Sequence, residues 1–103
     1  MNHEKMQYII DCLPGEELLA QLAEEASELS HAALKVRRCL VGTNPSRVPK
    51  EDAWKQLFEE IADVWLSLKA LGLDSESMQE RYQDIQAEKV DRWADSLEWG
   101  ADV

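Results

Sequence analysis

Glycine and proline are scarce in this chain of 103 residues, at four and three. So few breakers exclude a fold of many short strands and tight turns, and the alternation of apolar and polar residues that marks strands is absent too. Cysteine is limited to Cys12 and Cys39, with neither the spacing of a metal-binding cysteine motif nor the density of a disulfide scaffold. Together with the lack of a secretory leader, this predicts a soluble, cytoplasmic protein in a reducing setting. No apolar run approaches the roughly 20 residues that cross a bilayer, so no membrane partner is expected. Basic residues are outnumbered, 11 against 21 acids, for a net charge of −10. That balance excludes a non-specific nucleic-acid binder, which needs a basic face to displace counterions from phosphate. A phosphorylated ligand stays compatible if a divalent cation carries the charge.

What is present is helical rhythm. Six of the seven breakers fall at Pro14-Gly15, in the stretch GTNPSRVP (42–49) and at Gly72. Between them apolar residues recur every three or four positions: Leu18, Leu22, Ala26, Leu29, Ala33, Val36 and Leu40; then Leu57, Ile61, Val64, Leu68 and Leu71. A last set, Met78, Tyr82, Ile85, Trp93 and Leu97, carries Lys89 inside its stripe. Pro49 followed by Glu51 and Asp52 suits a helix start, Gly72 suits a C′ position, and Asp74 or Ser75 can cap the next helix. The spacing predicts helices at 3–12, 15–40, 50–71 and 75–98 in one all-α domain spanning 1–103, with an antiparallel pair of long helices at its centre. A hydrophobic content of 45% in so short a chain also predicts a core completed by self-association.

Acids interrupt the second and third helices in matched fashion. Glu25 and Glu28 stand three apart, as do Glu60 and Asp63, and each residue immediately precedes one of the apolar positions above. Residues so spaced are neighbours on a helix surface. Carboxylates at the shoulder of an apolar interface are costly to desolvate unless a cation compensates. Antiparallel packing would bring all four together, and an all-oxygen set suits Mg²⁺ or Mn²⁺. Acidic pairs also decorate solvated helix faces, and it is the repetition of the pattern in one register that points to a metal.

The segments LAEEASELSHAALKVRR (22–38) and LFEEIADVWLSL (57–68) resemble the MazG-like, all-α nucleoside triphosphate pyrophosphatases, marked by E-E-x-x-E on one helix and E-x-x-D on a later one. The linker GTNPSRVPKEDAW (42–54) is similar to that of small single-domain members, and EKVDRW (88–93) to the basic segment of their last helix. The resemblance spans roughly residues 16–95. It implies a bundle of three long helices and a short N-terminal one, assembled as a homodimer or dimer of dimers. It also implies that Glu25, Glu28, Glu60 and Asp63 bind Mg²⁺ and carry the catalysis, with Glu24 matching the first acid of the motif. Lys89 and Arg92 match residues that contact substrate phosphates. Gln86 and Asp91 occupy places where related sequences carry an Asn. The implied reaction cleaves a nucleoside triphosphate between its α and β phosphates, giving monophosphate and pyrophosphate, with Glu25 or Glu28 nearest the attacking water.

Other readings attach to single residues. Lys89 in an apolar stripe either snorkels or reaches phosphate. Lys35 and Arg38 suit phosphate or the C-terminal helix dipole. Of Trp54, Trp65, Trp93 and Trp99, the second and third fall on or beside the seams and suit a core, and any of the four suits stacking on a base. His31 follows Glu28 by three, the spacing of ferritin-like di-iron bundles, with Glu60 as a further carboxylate. A non-catalytic acidic helical interaction module is the remaining reading.

Overall fold

A computed structural model describes residues 1–42 and 47–101, the last four by their backbone alone. Part of the predicted linker, residues 43–46, and the side chain of Trp99 lie outside the described residues. The described residues form four helices and no strand: α1 (His3–Cys12), α2 (Gly15–Val41), α3 (Lys50–Ala70) and α4 (Glu76–Ala101). The chain divides into a unit Met1–Leu73 and a second unit beginning at Asp74. No helix of the described residues is long and apolar enough to cross a membrane.

Local chemistry sets the boundaries. Asn2 caps α1 by accepting from the Lys5 amide at 3.0 Å. Pro14 and Pro49 stand at the N-caps of α2 and α3, each followed by two acids in the first turn, where the positive end of the helix dipole favours them. Ser75 Oγ accepts from the Met78 amide, so Ser75 rather than Asp74 caps α4. Helix α3 ends in a Schellman motif: the Gly72 amide donates to the Lys69 carbonyl and the Leu73 amide to the Leu68 carbonyl. Gly72 sits at φ +71° with open space where a Cβ would stand. Gly72→Ala is therefore expected to cost about 1–2 kcal/mol from the left-handed backbone alone, read as a lower urea midpoint at unchanged slope.

In the first unit α2 and α3 form an antiparallel hairpin, α2 beginning where α3 ends. The residues that stay covered on α2 include Leu18, Leu22, Glu25, Leu29, Ala32, Val36 and Cys39; on α3 they include Ala53, Leu57, Glu60, Val64 and Ser67, and Leu71 at its C-cap continues the series. Both series step alternately by three and four, the heptad rhythm of helices packed at a shallow angle. Ala32 and Ala53 are each 1% exposed and let the backbones approach closely.

This seam differs from the expected one. Ala26, Ala33 and Leu40 are exposed and Ile61 largely so, while Glu25, Ala32, Cys39, Glu60 and Ser67 take seam positions. The expected series followed apolar residues alone, and so stepped around each acid to the next hydrophobe.

The seam divides the hairpin into two flanks. Residues one past a seam position turn about 100° to one side, and antiparallel helices turn to the same side of their shared plane. That flank carries Leu19, Ala26, Ala33 and Leu40 from α2 with Phe58, Ile61 and Trp65 from α3, all exposed. Residues one before a seam position, among them Gln21, Glu28, Lys35, Gln56, Asp63, Leu66 and Ala70, make the opposite flank. Trp65, expected in the core, is 51% exposed because it follows Val64 onto the apolar flank. Trp93, also expected in the core, is 71% exposed on α4, as Leu97 is at 66%.

Candidate metal centre

The sequence places an acid at one seam position of each long helix, and antiparallel pairing sets those two positions beside each other. Glu25, Glu60 and Asp63 each present a carboxylate oxygen, and the three oxygens lie within 4.8 Å of one another. Among the described residues this is the group of acids, histidines and cysteines placed to hold a cation. Glu25 and Glu60 are half-buried seam residues, and Asp63 reaches in from the flank, one residue before Val64.

Electrostatics make the arrangement uncomfortable without a counter-charge. Glu60 Oε2 is sealed from solvent and has no hydrogen-bond partner. The Glu60 carboxyl is pushed above its ordinary 4.5, first by desolvation, then by the negative charges of Asp63, Glu25, Glu28 and Glu59. Buried polar atoms almost always find a partner, so an orphaned carboxylate oxygen in an anionic trio fits a cation. The donor set is oxygen only and carries up to three negative charges, which suits a hard divalent ion such as Mg²⁺ or Mn²⁺. Glu25 is held in place by Gln21, whose Nε2 donates to Glu25 Oε1 at 2.7 Å. Gln21 gave no signal in the sequence, although a Gln four residues before an acid on a helix is a known pairing.

The other expected site residues are not members of this trio. Glu28 is exposed and outside the group, though its charge is felt at Glu60. Lys35 Nζ donates to Gln56 Oε1 at 3.3 Å across the hairpin. It lies ten residues along α2 from Glu25, about 15 Å at helical rise. Lys89 and Arg92 lie exposed on α4 in the second unit, where Arg92 faces Glu88 at 3.6 Å in an ordinary i, i+4 pair. His31 is exposed and does not join the oxygen cluster. Trp54 tilts against Phe58 with ring centroids 6.0 Å apart.

Beside the acids lies a pocket of about 320 Å³ between α1 and the hairpin. Its walls are aliphatic, from Met6 and Ile9 of α1 and Leu13 at its C-cap, Leu18 of α2, and Leu66 and Ala70 of α3. Gln21 and Ser67 add polar groups, and Glu25 and Asp63 close one end. Among the described residues of the first unit, neither Trp54 nor Trp65 lines it.

No protein-family model, no curated protein and no solved structure matches this chain.

Proposed function

We propose that this chain is a magnesium-dependent nucleoside triphosphate pyrophosphohydrolase, cleaving between the α and β phosphates. The observation that carries the reading is the sealed, partnerless Glu60 oxygen inside a trio of carboxylates. The resemblance of the two acidic motifs to the MazG-like enzymes supplies the reaction class. Glu25, Glu60 and Asp63 would hold the ion, with Mn²⁺ able to substitute. Bound there, it supplies neutralisation of phosphate charge and acidification of the attacking water.

The chain's own residues do the rest. Gln21 fixes the carboxylate of Glu25 through its 2.7 Å hydrogen bond, so one face of the trio is set before ligand arrives. Glu28, exposed yet within electrostatic reach of Glu60, is the candidate to accept the proton of the attacking water. Lys89 and Arg92 are the candidate phosphate contacts; Lys35 is a weaker one because its ammonium is engaged by Gln56.

Self-association belongs to the same reading. The exposed flank of Leu19, Leu40, Phe58, Ile61 and Trp65 sets large apolar side chains on one side of both long helices. A second copy covering it by two-fold symmetry would form a homodimer, or a dimer of dimers if α4 adds a further contact.

The test is pyrophosphate release from a panel of ribo- and deoxyribonucleoside triphosphates, with Mg²⁺ and with chelator. The expected result is release of pyrophosphate, not orthophosphate, only with the ion present, and its loss in Glu28→Gln with helix content unchanged. Orthophosphate as the first product, or release that survives chelation, would remove the reading.

A further inference from the structure

Helix α1 is held weakly by its own chain: ten residues long, it buries none of them. Its contribution to the first unit is one wall of the aliphatic pocket, through Met6, Ile9 and, at its C-cap, Leu13. Ile9 and Leu13 remain 41% and 42% exposed, so the apolar face that α1 turns to the hairpin is only partly covered. A ligand in the pocket would supply the missing packing for α1 and for Leu66, itself 44% exposed.

The pocket also sorts the two ends of a ligand. Six aliphatic side chains make most of its wall, and charge placed among them would be desolvated at high cost. Glu25 and Asp63, two of the three proposed ion ligands, close one end. A molecule with an anionic, cation-chelating end and a neutral ring end therefore fits in one orientation: anion on the ion, ring among the aliphatics. The volume, about 320 Å³, lies at the small end of ligand cavities, roughly 300–1,000 Å³.

We propose that this pocket seats the nucleoside part of the triphosphate, and that α1 is the wall which the nucleoside clamps against the hairpin. The proposal rests on the pyrophosphohydrolase reading. Recognition is by shape and apolar contact with the aliphatic walls. Gln21, whose Nε2 is committed to Glu25, offers its Oε1 to a base N–H, and Ser67 offers a hydroxyl. So few polar groups give weak discrimination among bases, since a site rejects a wrong ring strongly only where it leaves buried polar groups unpaired.

The experiment measures binding of α,β-methylene deoxynucleoside triphosphates by calorimetry with Mg²⁺, and of Mn²⁺ alone by electron spin resonance. The proteins are the wild type, Ile9→Trp and Ala70→Phe, which fill the pocket from opposite walls. Amide exchange across α1 is followed in the wild type. The expected result is analogue affinity lowered at least about tenfold in both variants, as overfilling of a packed site implies. Mn²⁺ affinity stays unchanged, and α1 amides slow on analogue binding. Analogue affinity equal to wild type in either folded variant, or α1 exchange unaltered by ligand, overturns the pocket assignment and leaves the function reading standing. A wild type that binds Mn²⁺ and no analogue overturns both.

Discussion

Glu60→Gln is expected to lower metal-dependent pyrophosphate release by at least about 100-fold, the upper end of what even an indirect metal partner costs, while the metal-free protein becomes more stable at neutral pH. Both effects come from the same oxygen. Glu60 Oε2 is sealed and unpartnered, and three neighbouring acids besides Asp63 press on the same carboxyl. A neutral amide removes the repulsion and, with it, the anionic ligand. The pH dependence follows from the direction of the shift. With its pKa raised above the usual 4.5, folded Glu60 binds a proton that the unfolded chain has already released. Its contribution to stability is therefore full below 4.5 and is lost as pH rises through the higher folded value. Thermal unfolding in chelator should show wild type losing stability relative to Glu60→Gln as pH climbs from about 4.5 to neutrality, since the difference between the two isolates this group. Added Mg²⁺ should raise the melting temperature of wild type and not of the variant. A wild type less stable at pH 5 than at pH 7, relative to the variant, would contradict the raised pKa. A variant that retains turnover would contradict the metal centre.

Trp65→Glu is expected to convert the protein to a monomer. Trp65 is 51% exposed on a flank it shares with Phe58 at 60% and Leu40 at 57%. Burying the exposed half of a large apolar side chain is worth roughly 1–1.5 kcal/mol, and a two-fold interface contains every residue twice. Losing both copies raises the dissociation constant by about two powers of ten, before the cost of burying the new carboxylates is counted. Sedimentation equilibrium reads this directly, with Lys35→Ala on the opposite flank as the control that keeps the oligomer. If wild type is itself monomeric at micromolar concentration, the apolar flank is not a self-association surface. Turnover measured on the monomer then shows whether the second copy contributes to the site, which the metal trio does not need, because all three acids come from one chain.

Much of the fold was legible in the chain because helix boundaries are local. Asn2, Pro14, Pro49, Gly72 and Ser75 each act on backbone groups within a few residues, and the helices begin and end within three residues of where spacing and caps put them. The acids were legible for a related reason: two carboxylates three apart, twice, in matched register, form a pattern within single helices. Which face of each helix is buried was not local. Periodicity located an apolar band on α2 wide enough to hold two stripes, Leu18-Leu22-Leu29-Val36 and Leu19-Ala26-Ala33-Leu40, and a band does not say where its centre lies. Packing against α3 chose the first stripe and carried it through Glu25 and Glu60, so that acids read as shoulder residues became seam residues.

Four helices, their ends, the excess of acid and the pairs that hold it could be read from the chain alone, since each is decided by neighbours along it. Helix packing alone sets that Glu25, Glu60 and Asp63 meet while Glu28 stays outside, that one oxygen of Glu60 is shut off from solvent, that Gln21 braces Glu25, and that α1 leaves a pocket beside them. These depend on the rotation of one helix against another, and a turn of about 100° there, a single residue's step, exchanges a half-buried carboxylate for an exposed one.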